Sequence, residues 1–67
     1  MLERIETILA ALDVATKIAD LDRPSFRLHA LSGDRKGQWS MTVRANWRIT
    51  FRFADGEPSE VDFADYH

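Results

Sequence analysis

The chain contains no cysteine and only two histidines, and these scarcities exclude several kinds of site. Without cysteine there is neither a disulfide framework nor a cysteine-ligated zinc ion. Two histidines alone cannot complete a structural metal site. The sequence also lacks a glycine-rich phosphate loop, a Ser-His-Asp arrangement and a nucleotide-binding fingerprint. We therefore expect neither a bound metal nor a cofactor.

Long apolar runs are missing as well. No stretch approaches the roughly 20 apolar residues that a membrane-spanning helix needs, and no basic region followed by an apolar run marks a signal peptide. We expect a cytoplasmic protein without membrane association. The 67 residues predict a single domain. Its stability should be marginal, because so small a domain buries only about 60% of its unfolded surface.

Charge is distributed unevenly, although the net charge is only -2. Residues 54–67 contain five acids and no base, whereas residues 26–53 contain a single acid, Asp34. The bases in that central stretch are Arg27, Arg35, Lys36, Arg44, Arg48 and Arg52. Such a local positive field indicates an anionic partner. The alternative is that the basic centre and the acidic end pair with each other across the sheet.

Hydrophobic periodicity predicts one helix followed by an antiparallel sheet. An amphipathic helix over roughly residues 2–13 is predicted, with a short helical turn after it. Its apolar stripe consists of Leu2, Ile5, Ile8, Leu9 and Leu12. From residue 26 the period becomes two, in the segments 26–31, 38–43, 47–53 and 61–63. The expected fold class is α+β, in which the helix covers one face of an antiparallel meander of about four strands and the polar face stays open.

Strand alternation places basic and titratable side chains on that open face. The residues with this parity are Arg27, His29, Arg48, Thr50 and Arg52. Guanidinium groups bind phosphate oxygens through two parallel hydrogen bonds, so this face predicts a phosphate-binding surface, which Arg35 and Lys36 in the adjoining loop would extend. Each residue also has a structural interpretation. Arginines on exposed strands commonly pair with neighbours in solvent, and a lone strand histidine is more often a surface residue than a catalyst.

The chain ends in Asp65, Tyr66 and His67, a few residues after the last strand pattern. Histidine exchanges protons near neutral pH, and an aromatic ring can stack on a base of single-stranded RNA. If the fold brings this end close to His29, the residues supply acid, base and stacking groups for work on a phosphodiester. The alternative for Tyr66 is that it covers the open end of a small core.

Four motifs together resemble one known family. They are Arg-x-His at 27–29, Gly-Asp-Arg-Lys-Gly-x-Trp at 33–39, Asn-Trp-Arg-x-Thr-Phe at 46–51 and the final Asp-Tyr-His. With the residues around them, they resemble the HigB toxins of the RelE/ParE toxin superfamily, also called plasmid maintenance killer proteins. The resemblance covers essentially the whole chain. It implies a single RelE-like domain over residues 1–67, without the first strand and first helix that such toxins usually carry.

The resemblance implies a ribosome-dependent endoribonuclease that cleaves mRNA through attack of a ribose 2′-hydroxyl. The catalytic positions of the family fall on His29, Asp65, Tyr66 and His67. His67 would be the acid or base nearest the reaction, with His29 as its partner or as a stabiliser of the phosphorane. Asp65 would orient or polarise, Tyr66 would stack or hold a phosphate, and Arg48 would neutralise developing charge. The RNA-contacting residues would be Arg27, Arg35, Lys36, Arg48 and Arg52.

The resemblance also implies partners. These are the ribosome, mRNA and a neutralising antitoxin of the HigA type with a helix-turn-helix domain. Because the missing first strand would leave a bare sheet edge, we expect a homo-oligomer formed through that edge, or a partner held there. The alternative function is a catalytically weak remnant that mainly binds an antitoxin or oligomerises. The missing strand, the acidic balance and Ser32, which stands where the family often has lysine, favour that alternative. A gyrase-directed toxin is a third reading, which the Asp-Tyr-His ending disfavours.

Overall fold

One helix packs against one face of a four-stranded antiparallel sheet in the computed structural model, which describes residues 2–44 and 46–65. Helix α1 spans Leu2–Val14, and short 3-10 helices span Ile18–Leu21 and Gly33–Arg35. The strands are β1 (His29–Ala30), β2 (Gln38–Arg44), β3 (Trp47–Ala54) and β4 (Glu57–Asp65). The α+β class, the N-terminal helix and the four-stranded sheet predicted from periodicity are confirmed.

The sheet is a meander, in which each strand pairs antiparallel with the next in the order β1-β2-β3-β4. A tight hairpin turn at Asp55 and Gly56 joins β3 to β4. Both residues have positive φ, 55° and 77°. Such turns match the right-handed twist of the flanking strands, and Asp-Gly is among the dipeptides that adopt them most readily. The turn predicted at 55–56 is confirmed.

The hydrophobic core lies between α1 and the sheet. Ile8 and Leu12 of the helix are buried against Met41, Ile49 and Phe51 of the central strands. Trp39 and Trp47 share the parity of these strand residues and pack at the margin of the same cluster. Arg4 ties the start of the helix to the sheet, because its Nη2 donates hydrogen bonds to the carbonyl oxygens of Ser25 and Thr42.

The strand predicted over residues 26–31 exists but is much shorter than predicted, so the predicted length was wrong. Only His29 and Ala30 are in strand conformation. Arg27 has a φ of 51°, and the Phe26 backbone N–H donates to the Arg23 carbonyl, so the chain turns before it becomes extended. Beyond the turn, the Thr42 N–H donates to the Phe26 carbonyl at 2.8 Å. Arg27 is therefore not placed by strand alternation.

Strand β4 is irregular in its first half and regular in its second. The pairing with β3 shifts register between Thr50 and Arg52, where β4 has one residue more than β3, and Glu60 there has a φ of 48°. Such a bulge bends an edge strand and disrupts its ladder locally. From Asp62 to Asp65 each residue again has a single partner on β3. The regular segment therefore directly precedes residues 66–67.

Candidate functional site

The pairing register assembles one row of polar side chains across all four strands. His29 pairs with Ser40, Ser40 with Thr50, and Thr50 with Asp62. Ile49 and Phe63, on alternate positions, lie with helix residues Ile5 and Leu9 around one groove. Because successive strand residues point to opposite faces, the His29 row lies on the face away from α1. The side of the sheet predicted from parity is confirmed for His29 and Thr50.

Two small polar residues form the floor of this face. Ser40 and Thr50 are 0% and 1% exposed, whereas His29 and Asp62 at the ends of the row are exposed. Arg48 and Arg52 lie two positions on either side of Thr50, which gives them the same face. Neighbouring side chains therefore cover Ser40 and Thr50, whereas Arg48 and Arg52 are partly exposed. Ser40 Oγ is buried and has no hydrogen-bond partner within the described ranges.

His29 is held by a contact to its own strand entrance. Its Nδ1 lies 3.2 Å from the carbonyl oxygen of Arg27. The positive φ of Arg27 forms part of the turn that presents this carbonyl to the ring. When Nδ1 carries the proton, its N–H donates a hydrogen bond to the Arg27 carbonyl, and Nε2 keeps its lone pair. A histidine in that tautomer can accept a proton through Nε2 at the exposed face.

A basic corner lies beside this row, where β2 and β3 meet the loop before β2. A Cβ added to Gly37 would lie only 2.8 Å from Arg52 Nη1, so the guanidinium lies directly over the Gly37 backbone. Arg35 belongs to the same corner, because its Nε donates to Gln38 Oε1 at 2.9 Å. Lys36 follows on the exposed end of the 3-10 helix. The predicted phosphate-binding residues Arg35, Lys36 and Arg52 thus surround one corner of the polar face.

An acid from β4 already contacts this corner. Arg52 Nε and Glu60 Oε2 are 2.5 Å apart, and both side chains are partly exposed. The expectation that basic centre and acidic end pair across the sheet is confirmed for this pair. Arg48 lies at the other end of β3, between Thr42 of β2 and Ala64 of β4. Four residues of extended chain place Arg48 about 13 Å from Arg52.

The predicted catalytic residues are not all brought together in the described part of the chain. His29 lies on β1 and Asp65 on β4, three strand spacings or about 14 Å away across the sheet, and Asp65 is also three residues or about 10 Å further along β4 than the His29 row. Asp65 pairs with Trp47, so alternation directs it to the helix side, where Phe63 stacks on Trp47 at 4.7 Å between ring centroids. Tyr66 and His67 lie outside the described residues. Arg27 is exposed in the turn before β1.

Sequence reasoning missed Ser40 and Asp62 as members of the polar row. Neither belongs to a recognisable motif, and only the register shows that they face His29 and Thr50. Asp62 Oδ1 accepts a hydrogen bond from the Phe63 N–H at 2.9 Å. Among residues 2–44 and 46–65, no group of three or more histidine or acidic side chains is arranged to hold a metal ion. Within the same ranges, no helix has the length and apolar character to cross a membrane.

Comparison with known proteins gives two matches. A family model described as RelE-like toxin of type II toxin-antitoxin system HigB matches residues 1–67. A protein of Proteus vulgaris named Endoribonuclease HigB is 52% identical over 65 residues, which are 97% of this chain and 71% of that protein. The family match therefore includes α1 and all four described strands, and the alignment with the relative leaves out only two residues of the chain.

Proposed function

Since the chain belongs to the RelE-like toxins of the type II toxin-antitoxin system HigB, we propose that it is an endoribonuclease that cleaves mRNA on the ribosome. The single observation that carries the proposal is the polar face itself. His29 lies in one row with two small residues, Ser40 and Thr50, and two arginines flank that row on β3. A surface that carries a histidine between accessible arginines suits the phosphates of an extended RNA backbone.

The proposed reaction is an internal transfer within the RNA. The ribose 2′-oxygen attacks the adjacent phosphorus, and the bond from phosphorus to the 5′-oxygen of the next nucleotide breaks. A base removes the proton of the 2′-hydroxyl and an acid supplies one to the departing 5′-oxygen. The products are a 2′,3′-cyclic phosphate and a free 5′-hydroxyl. The step needs proton transfer and charge stabilisation, which histidine and arginine supply.

We assign roles to the residues accordingly. His67 is the acid or base nearest the reacting atoms, and His29 is its partner or stabilises the phosphorane. Asp65 orients or polarises the reacting groups, and Tyr66 stacks on a base or holds a phosphate. Arg48 neutralises the negative charge that develops on the oxygens of the phosphorane. Asp65 enters this assembly only if RNA or the ribosome brings the end of β4 toward the polar face, because its backbone position is about 14 Å from β1.

The proposed partners are the ribosome, mRNA and an antitoxin of the helix-turn-helix type. Phosphate contacts would come from Arg27, Arg35, Lys36, Arg48 and Arg52, of which Arg52 must exchange Glu60 for a phosphate. Self-association through the sheet edge stays a prediction. Sedimentation velocity over a wide range of concentrations tests it, and a constant monomer would contradict it.

The second candidate function is a catalytically weak toxin that mainly binds its antitoxin. Two observations favour it. The described part of the chain holds His29 and Asp65 far apart, and Glu60 neutralises one of the arginines. In this case the chain still binds its antitoxin, and its cleavage of RNA is slow or absent.

Primer extension on mRNA in a purified translation system separates the two functions. The chain is compared with His67→Ala and His29→Ala, in the presence and absence of ribosomes, and circular dichroism confirms that each sample is folded. Cuts that require ribosomes and both histidines would support the endoribonuclease. A folded chain that makes no cut, or variants that cleave as fast as the parent, would contradict it.

A further inference from the structure

Gln38, the first residue of β2, lies among the arginines of the basic corner. Its Oε1 accepts a hydrogen bond from Arg35 Nε at 2.9 Å, in a partly buried setting. Across the sheet it pairs with Arg52, whose guanidinium lies over the Gly37 backbone. This neutral side chain is therefore bonded to one guanidinium and paired with the residue that carries another.

The bond to Arg35 determines how the Gln38 amide is oriented. An amide has an acceptor oxygen and two N–H donors, and these exchange places when the group flips. Arg35 Nε–H can only donate a hydrogen bond, so it selects the oxygen as its partner. The amide nitrogen of Gln38 is thus directed away from Arg35, and it presents donors to the rest of the corner.

The same bond fixes the direction of the Arg35 guanidinium. A guanidinium binds phosphate through a planar fork of N–H groups, which has to be aimed at the ligand. Arg35 ends the short 3-10 helix in the loop before β2, and Gln38 anchors its side chain there. A side chain that is oriented before binding loses less conformational entropy when the ligand arrives. Gln38 thus prepares Arg35 for an anion.

A carboxylate already occupies part of the corner and indicates the chemistry of the ligand. Glu60 Oε2 lies 2.5 Å from Arg52 Nε, and the Glu60 side chain is 64% exposed. Carboxylates and phosphates both carry negative charge on acceptor oxygens, so a phosphate oxygen can replace the carboxylate as the partner of Arg52. Because exposed ion pairs contribute little to stability, this exchange costs little.

We propose that Gln38 is a positioning residue of a phosphate subsite, which holds an RNA phosphate that flanks the one being cleaved. Arg35 and Arg52 supply guanidinium groups, and the Gln38 amide nitrogen donates to the same phosphate. The inference rests on the proposed endoribonuclease function. Gln38 lies two residues, or about 7 Å along β2, from Ser40, the partner of His29. The subsite is therefore separate from the reacting phosphate.

Kinetics of cleavage test this separation, because such a contact acts equally on the bound substrate and on the transition state. Gln38→Met keeps the length of the side chain but removes its acceptor and its donors. KM for ribosome-bound mRNA should rise by about three- to tenfold, while kcat stays the same. Thr7→Val is the control, because it removes a 3.0 Å hydrogen bond within α1, on the opposite face of the sheet. A fall in kcat with an unchanged KM, or equal effects of both variants, would overturn the proposal.

Binding of RNA without ribosomes separates this inference from the proposed function. A short single-stranded RNA with 2′-O-methyl groups is the probe, because it lacks the nucleophile and cannot be cleaved. Gln38→Met should bind it about three- to tenfold more weakly than the parent, even if the parent makes no cuts in mRNA. Gln38→Glu keeps an acceptor for Arg35 but replaces the donors by a second oxygen, so it should bind no better than Gln38→Met. Parental affinity in either variant would overturn the proposal, as would a parent chain that does not bind the probe.

Coupling between Gln38 and Arg35 tests the positioning itself. Gln38→Met should weaken RNA binding by a smaller factor in a chain that already carries Arg35→Met than in the parent. The Arg35 Nε–H should also exchange faster with solvent in Gln38→Met, which nitrogen-resolved spectra detect without RNA. Equal factors in both backgrounds, or an unchanged exchange rate, would overturn the proposal.

Discussion

Arg52 and Glu60 form an ion pair across β3 and β4, with 2.5 Å between Nε and Oε2. The register shift in β4 places the acid at this point, one residue out of the regular ladder. Because the guanidinium also lies over the Gly37 backbone, it occupies a defined position at the basic corner. A carboxylate and an RNA phosphate compete for the same donor, so this pair acts against the proposed binding of RNA.

Replacement of Glu60 by glutamine should therefore strengthen RNA binding. We expect affinity for a short single-stranded RNA to rise by about three- to tenfold, and its dependence on salt to steepen by about 0.7 in the logarithmic slope, as one further phosphate contact predicts. The free energy of unfolding should change by less than about 0.5 kcal/mol, because partly exposed ion pairs contribute little. Glu57→Gln removes the same charge from the exposed start of β4 and is the control. Equal gains in both variants would indicate a net-charge effect instead.

The tautomer of His29 can be observed directly. With Nδ1 3.2 Å from the Arg27 carbonyl oxygen, we expect the neutral ring to carry its proton on Nδ1. Long-range proton–nitrogen correlation spectra distinguish the two ring nitrogens. Arg27→Gly should keep this tautomer, because glycine adopts a positive φ readily, whereas Arg27→Val should lose it. A ring protonated on Nε2 in the parent chain would contradict the assignment.

Two glycines in one loop provide a test of the basic corner. Gly33 and Gly37 both have positive φ, 65° and 95°, but a Cβ at Gly33 would meet nothing within 4 Å, whereas one at Gly37 would meet Arg52. Gly33→Ala should lower the free energy of unfolding by about 1 kcal/mol through backbone strain alone. Gly37→Ala should cost more and should also weaken RNA binding, because Arg52 must move. Denaturant unfolding and RNA titration of both variants measure the difference, and equal behaviour would contradict the contact.

The buried hydroxyl of Ser40 should not stabilise the protein. Its Oγ has no hydrogen-bond partner among the described residues, and an unsatisfied buried polar group costs roughly 1–3 kcal/mol. Ser40→Ala should thus leave the free energy of unfolding unchanged or raise it by up to about 1 kcal/mol. Ser59→Ala, at an exposed position on the same sheet, should change it by less than about 0.5 kcal/mol. A clear loss of stability in Ser40→Ala would reveal a partner for the hydroxyl.

Acid should weaken the link between α1 and the following 3-10 helix. The Thr16 backbone N–H donates to Asp20 Oδ2 at 3.0 Å, and this hydrogen bond holds the pKa of the Asp20 carboxyl below its usual value. Since the pKa is lower in the folded state, the stabilisation is present above the unfolded pKa and is lost as pH falls through the folded pKa. Asp20→Asn should be less stable than the parent at neutral pH, and the difference should disappear once the pH is below the folded pKa of Asp20. A pH-independent difference would contradict this linkage.

Local patterns were sufficient to predict most of the fold. The apolar stripe from Leu2 to Leu12 predicted α1, and the Asp55-Gly56 turn predicted the β3–β4 hairpin, because both depend on residues close in sequence. The strand expected from Phe26 failed for a reason that sequence does not reveal. The alternation there is genuine, but the chain turns at Arg27 to let the Phe26 carbonyl accept a bond from Thr42, a residue on another strand.

The sequence predicted which face of the sheet the site residues occupy, but not which of them are neighbours on adjacent strands. Parity assigned His29, Arg48, Thr50 and Arg52 to the side away from the core, since alternation is a local property. His29 pairs with Ser40 because of the strand register, and Arg52 contacts Glu60 because of the bulge in β4. No sequence motif predicts either feature. Whether Tyr66 and His67 complete the site remains a prediction, because they lie outside the described residues.

The brevity of β1 has a consequence for how heat should inactivate the protein. His29 is carried by a two-residue strand at the outer side of the sheet. Besides its short pairing with β2, the segment is held by one backbone hydrogen bond at each end, from the Thr42 N–H to the Phe26 carbonyl and from the Leu31 N–H to the Gln38 carbonyl. Segments with such short pairing open in sub-global fluctuations well before the whole domain unfolds. Warming should thus detach the histidine from the polar face while β2, β3 and β4 stay paired, and activity should fall at temperatures where the far-ultraviolet spectrum is still that of the native fold.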